Sequence, residues 1–208
     1  MLITELAELS GTPAATIKYY VREGLLPAGE RVGRNRTEYD DSHAHRLRLI
    51  RVMLEVGRLS IGAISGVLAV LDDPDATIVD TFDIAQRALS RDTVSGVSRG
   101  SDAALERVDG VMDRAGWTDC ADNPGREIAA RVVDAFDRAG HPLPDSYLDA
   151  YAASAQRMAE ADLGAIAELA DPTDMAELMV VGTVLGDTLS AGLRRIAQAY
   201  VTTERRIS

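Results

Sequence analysis

A mainly α-helical fold with one small β-hairpin is predicted for this chain of 208 residues. Three observations predict it. Apolar residues recur at three- and four-residue spacing over most of the sequence, the period of a helix with one buried face. One stretch, residues 26–39, breaks that period with Pro27, Gly29, Gly33 and Asn35. Charge also divides the chain. Residues 1–71 carry Lys18 and eight arginines against eight acids, whereas residues 72–208 carry 13 arginines against 25 acids. The −11 of the whole chain, which by itself speaks against a nucleic-acid partner, therefore belongs to the second part. Every cation of the first part lies between Lys18 and Arg58. The break begins at Asp72, Asp73, Pro74 and Asp75, and proline tends to stop a preceding helix. Two units follow: 1–71 and an acidic, all-helical 72–208.

The elements come in order. Thr4 is placed to cap a helix carrying Leu6, Ala7 and Leu9 that ends at Ser10 and Gly11. Thr12 and Pro13 give a cap followed by proline in the first turn, where its missing N–H costs nothing. That second helix runs to about Glu23 and stops at Gly24, with Ile17, Val21 and Leu25 inward and Lys18, Tyr19 and Arg22 on the other side. Residues 26–39 fit a two-stranded hairpin turning over Gly33 to Asn35. Its Arg31, Arg34 and Arg36 suit phosphate contact, a solvated turn being the plain alternative. Asp40 or Asp41 caps a helix with Leu47, Ile50, Met53 and Leu54 inward and Arg46, Arg48 and Arg51 largely outward. Ser60 caps the next, with Ile61, Ile64, Leu68 and Leu71 on one face. Helix, turn, helix, basic hairpin, helix, helix is a winged helix-turn-helix, whose second helix can enter a major groove.

The run ITELAELSGTPAATIKYYVREGLLP from Ile3 to Pro27, with Glu38, Tyr39 and Asp40 and the stretch Leu47 to Ile50, resembles the MerR family of bacterial transcriptional regulators. The likeness covers residues 1–71. It implies a homodimer on a pseudo-palindromic promoter element in double-stranded DNA, with RNA polymerase at that promoter and an effector region behind the DNA-binding unit. By position, Thr16, Lys18, Tyr19, Tyr20 and Arg22 are implied for the recognition helix. Lys18 stands where the family most often has arginine, and lysine lacks the planar fork of a guanidinium. The wing departs from the usual Gly-Tyr-Arg-x-Tyr: Thr37 takes the arginine position and Arg36 the aromatic one. Arg34 and Arg36 are therefore the expected wing contacts. The turn from Gly57 to Ser60 reads one residue longer than usual. Residues 95–101, rich in glycine and serine, interrupt the long coiled-coil helix that the family places there.

In the second part, helices are expected at about 75–91, 101–115, 124–139, 144–170 and 173–204, forming a bundle. The last carries Leu178, Val181, Leu185, Leu189, Leu193, Ile196 and Tyr200 down one side, and Gly182, Gly186 and Ser190 at four-residue spacing. Two glycines inside a helix cost roughly 1 kcal/mol each against alanine. They fit close helix approach, inside the bundle or across a dimer.

Cys120 is the only cysteine, which excludes an internal disulfide and any multi-thiolate metal or cluster site within one chain. It reads as a buried, inert thiol. His43 and His45 diverge on one helix and read as surface residues, and His141 as a loop residue. No metal or cofactor is expected. A small organic effector remains, with Phe136, Tyr147, Tyr151 and Met158 as the candidate pocket and Trp117, Met175 and Met179 as further candidates; plain core packing is the alternative. No paired catalytic constellation, phosphate loop or nucleophile motif is present, so no enzyme is expected. The start lacks a signal-peptide pattern, and the longest uncharged apolar stretch, 178–186, is about half a membrane span. A cytoplasmic protein without membrane contact is expected. A protein–protein adaptor using the winged helix without DNA is the competing reading.

Overall fold

The computed structural model describes residues 1–33, 36–94, 99–118 and 120–204. Arg34 and Asn35, at the expected tip of the hairpin, lie outside them, as do residues 95–98 of the glycine- and serine-rich interruption. The described elements run α1 (Ile3–Ser10), α2 (Ala14–Arg22), β1 (Glu30–Arg31), β2 (Thr37–Glu38), α3 (Asp41–Glu55), α4 (Ile61–Leu71), α5 (Ile78–Val94), α6 (Asp102–Ala115), α7 (Pro124–Arg138), α8 (Asp145–Ala167) and α9 (Pro172–Glu204). The fold is mainly α, with a two-strand antiparallel hairpin behind a helix-turn-helix.

Local signals set most boundaries. Ser60 Oγ accepts from Ala63 N, Asp40 accepts from the amides of Ser42 and His43, and Asn123 precedes Pro124 in the first turn of α7. Two expected caps are replaced. Thr4 lies inside α1, whose preceding Leu2 N–H is satisfied by Glu5 Oε2 at 2.6 Å. Thr12 is buried and makes no cap; Pro13 occupies the cap position of α2. Glu30 pairs with Glu38 and Arg31 with Thr37 in the wing. Tyr39 exchanges two main-chain bonds with Met1, at 2.6 and 2.8 Å, which ties the hairpin's exit to the start of α1.

Two hydrophobic cores organise the chain. The first joins Leu6, Ile17, Tyr20, Leu25, Leu26, Leu47, Ile50, Met53, Ile64 and Leu68 with Ala85 and Ala88 of α5 and Val180 and Val184 of α9. The second joins Ala104, Leu105 and Val108 of α6 with Ala130 and Val133 of α7. The acidic run at residues 72–75 marks a change of composition, but packing continues across it: α5 and α9 complete the core of the first unit. The fit with α9 is close at Gly57, where an added Cβ would lie 2.2 Å from Val184 Cγ1 and 2.8 Å from Met53 O. Next to it Arg58 adopts a left-handed φ of 54°, a conformation rare outside glycine. The long turn read between α3 and α4 therefore has a packing reason.

The stripe read on α9 holds in part. Its fully buried residues are Met179, Val180 and Val184, with Val181 and Leu185 of the expected series half-buried against the same core as Val180 and Val184. In its second half Leu189, Leu193, Ile196 and Tyr200 are between 57% and 69% exposed. An added Cβ at Gly182 or Gly186 would meet nothing within 4 Å, so neither glycine serves an internal approach. By length and composition the 33-residue α9, with an 18-residue window of mean hydropathy 1.3, is also long and apolar enough to cross a membrane, which the uncharged stretch 178–186 alone did not indicate.

Candidate nucleic-acid interface

The outer face of α2 follows from its inner one. Ile17 and Tyr20 point into the core, as do Leu25 and Leu26 after the turn, which leaves Ala15, Lys18 and Arg22 exposed and Thr16 and Tyr19 half-buried. Lys18 has no ion pair among the described residues. The guanidinium of Arg22 lies 5.2 Å from the Tyr19 ring centroid, and its Nε reaches Glu23 at 3.3 Å. Tyr19 thus acts as a rail that holds Arg22 along the outer face. Tyr20 departs from its expected role. The residue is only 9% exposed within the core, and burial, reinforced by Tyr19 and Glu55, pushes its phenol pKa up. A ring fixed there positions α2 rather than meeting a base.

The wing presents Arg31 and Arg36 to solvent. Arg36 Nη2 rests 2.7 Å from Glu38 Oε1, a pair that both phosphate and water can compete for. Of the outward arginines expected on α3, Arg48 and Arg51 are exposed, with Arg51 bonded to Glu55 at 2.7 Å. Arg46 is not outward. Its side chain is 14% exposed, donates to Leu25 O at 3.1 Å and grips Asp72 with two bonds of 2.6 Å. It clamps the end of α4 onto Leu25 in the turn after α2.

The histidines behave differently from one another. His43, expected at the surface, is buried; its Nδ1 lies 2.7 Å from Asp40, its ring meets Tyr39 edge-on at 5.1 Å, and its Nε2 is buried without a partner. Four bonds from Ser42 and His43 hold the Asp40 carboxyl well below the usual carboxylate range. This knot fixes the exit of the wing against the start of α3. His45 is exposed and bonds Glu177 of α9 at 2.7 Å. Cys120 is exposed rather than buried, its thiol donating to Thr118 O at 3.2 Å. Among the described residues no three His, Cys, Asp or Glu side chains gather where a metal ion fits.

A concavity lies between α6, α7, α8 and α9. It has a volume of about 470 Å³, and its lining includes Trp117, Phe136, Leu143, Tyr147, Tyr151 and Arg194. Phe136, Tyr147 and Tyr151, expected to share a pocket, are brought together. Met158 is not among its residues: it is exposed on α8. Met175 is absent too, and Met179 is buried in α9 away from this cavity. Tyr147 and Tyr151 stack at 4.7 Å and share a hydroxyl bond of 2.9 Å, which with burial pushes the Tyr151 phenol up. Arg194 was missed in the sequence. It falls on the Val180, Val184, Ala191 side of α9 at helical spacing, and that signal is visible only once the inward stripe is placed there.

Comparison with known proteins fits this geometry. The sequence model of the MerR HTH family regulatory proteins matches residues 1–71. The HTH-type transcriptional regulator HmrR of Rhizobium leguminosarum bv. viciae is 36% identical over 90 residues, which are 43% of this chain and 68% of that protein. The chain belongs to the MerR family. The mercuric resistance operon regulatory protein of Bacillus cereus is 36% identical over 81 residues, 39% of this chain. The chain spans 61% of that regulator's length. A solved structure from Streptomyces coelicolor A3(2), described as a transcriptional regulator, aligns with a TM-score of 0.71 and 27% identity, covering 99% of this chain and 97% of its own. The MerR assignment accounts for the first 71 residues directly, and the Streptomyces structure extends the likeness over the helical remainder.

Proposed function

We propose that this MerR-family transcriptional regulator binds double-stranded DNA as a homodimer on a pseudo-palindromic promoter element, where RNA polymerase acts, under the control of a small organic effector. In this reading residues 1–71 form the DNA-binding unit and residues 72–208 the effector and dimerisation unit. The observation that carries it is the outer face of α2: Lys18 without an ion pair among the described residues and Arg22 held by Tyr19, followed directly by a wing that exposes Arg31 and Arg36. Lys18 reads a base edge or a phosphate and the wing arginines grip phosphates, with Thr16 close enough on the helix to join them. Arg34 shares the wing role by its place in the sequence.

The exposed α9 face supports the dimer. Leu189, Leu193, Ile196 and Tyr200 are spaced four, three and four apart, the heptad spacing of a helix-pair seam. Gly186 and Gly182 continue that seam with open space above them. The cavity lined by Phe136, Tyr147 and Tyr151 supports the effector site.

Selection of bound fragments from genomic DNA at low salt tests the reading. An inverted repeat common to the recovered promoters is expected; recovery of unrelated sequences overturns it.

A further inference from the structure

The cavity between α6, α7, α8 and α9 is apolar apart from one end. Among the described residues neither Asp nor Glu lines it, and Arg194 is the only charged residue of its lining. This is unusual for its surroundings. The second part of the chain is crowded with acids, and the arginines near the cavity use them: Arg107 pairs with Asp145 at 3.2 Å, Arg114 with Asp149 at 2.7 Å, Arg126 with Asp109 at 2.6 Å and Arg131 with Glu127 at 2.9 Å. Arg194 pairs with none of the described carboxylates. Its guanidinium lies instead 5.4 Å from the Tyr151 ring centroid, beside the hydroxyl pair of Tyr151 and Tyr147.

We infer that this cavity takes an amphipathic organic anion, a carboxylate carried on an apolar body, with the body among Trp117, Phe136 and Leu143 and the head on Arg194 and the two phenols. The inference rests on the reading of the cavity as the effector site and gives that site a ligand class. A guanidinium offers a carboxylate two parallel donors, and phenol hydroxyls add a third. An organic cation is disfavoured twice, by charge and because Arg194 already occupies the Tyr151 face that a cation would use. The cavity's size falls within the roughly 300–1,000 Å³ of small-molecule sites.

The head-binding residue shares a helix with the DNA-binding core. Ten residues before Arg194, about 15 Å along α9, Val184 is buried against Gly57, and Glu177 of the same helix bonds His45 of α3. An anion drawing Arg194 toward the phenols therefore acts on an element already seated in the winged helix.

The test uses the full chain, in which Trp117 is the only tryptophan and lines the cavity. Its fluorescence is titrated with decanoate, decan-1-ol and decyltrimethylammonium, three probes that share an apolar body and differ in head charge. Decanoate is expected to bind about tenfold more tightly than the alcohol, as one charge-assisted contact gives, and the ammonium more weakly than both. Arg194→Gln should remove the preference for decanoate while leaving the alcohol's affinity in place, and Arg194→Lys should restore part of it. Equal binding of decanoate and alcohol, tighter binding of the ammonium, or no binding of any probe overturns the inference. DNA binding is measured separately with and without decanoate. An anion preference with no change at the DNA leaves the ligand class standing and overturns effector control instead.

Discussion

Lys18 and Tyr20 are two positions apart on one nine-residue helix and have opposite duties. Lys18 is exposed and has no ion pair among the described residues, so Lys18→Ala is expected to weaken specific DNA binding by about 1–3 kcal/mol while leaving thermal unfolding unchanged. Tyr20→Ala is expected to act on the fold, lowering stability by about 3 kcal/mol through loss of a buried ring, as denaturant unfolding would report. The sequence exposes half of this difference. Ile17 and Lys18 are separated correctly by helical spacing alone. Tyr20 stands three residues after Ile17 and belongs to its face, but a shared motif with known regulators places it beside Tyr19 without distinguishing inward from outward. Arg46 and His43 are harder still. Their partners, Leu25 O and Asp72 for the one and the Tyr39 and Asp40 corner for the other, are set by tertiary packing that no periodicity encodes.

Helix ends are largely readable, because caps and breakers are local chemistry: Ser60 caps α4 and Asp40 caps α3 where the sequence places them, and Gly11 takes the left-handed turn that ends α1. Which face of a helix turns inward was not readable for α9, since both of its sides carry apolar residues and the choice falls to α5 and to the turn at Gly57. Gly57→Ala is therefore expected to destabilise the chain by about 1–3 kcal/mol through overpacking against Val184 and Met53 O, measured by denaturant midpoint. Gly182→Ala, with open space above it, is expected to be neutral or stabilising in the same assay. The junctions of α6 with α7 are expected to depend on pH. Ser101 donates to Asp134, Arg126 to Asp109 and Gly100 N to Glu127, and each bond holds its carboxyl below the usual 3.8 for Asp or 4.5 for Glu. A lowered carboxyl pKa stabilises the fold above the unfolded value and loses that stability as pH falls through the folded one. Melting temperature should then fall on acidification from pH 5 toward pH 3. The fall should be shallower in Asp134→Asn; an equal slope in both proteins contradicts this account of the junction.

At the scale of the molecule, the charge map and the packing map disagree usefully. The surplus of acids lies behind residue 71, which leaves the winged helix as the face suited to phosphates, yet α5 and α9 bind the two parts into a shared core. The exposed α9 seam gives the assembly a prediction of its own. Leu193→Asp with Ile196→Asp should convert a dimer to a monomer in sedimentation velocity without loss of helical circular dichroism. A dimer that persists removes the seam. The central claim, that α2 and the wing bind promoter DNA, is tested most directly by footprinting a selected element with the wild-type protein and with Lys18→Ala across a salt series. Two protected half-sites about one helical turn apart are predicted, with affinity falling steeply as salt rises and protection weakened in the variant. Protection identical in the two proteins at every salt concentration, or none at low salt, would contradict it.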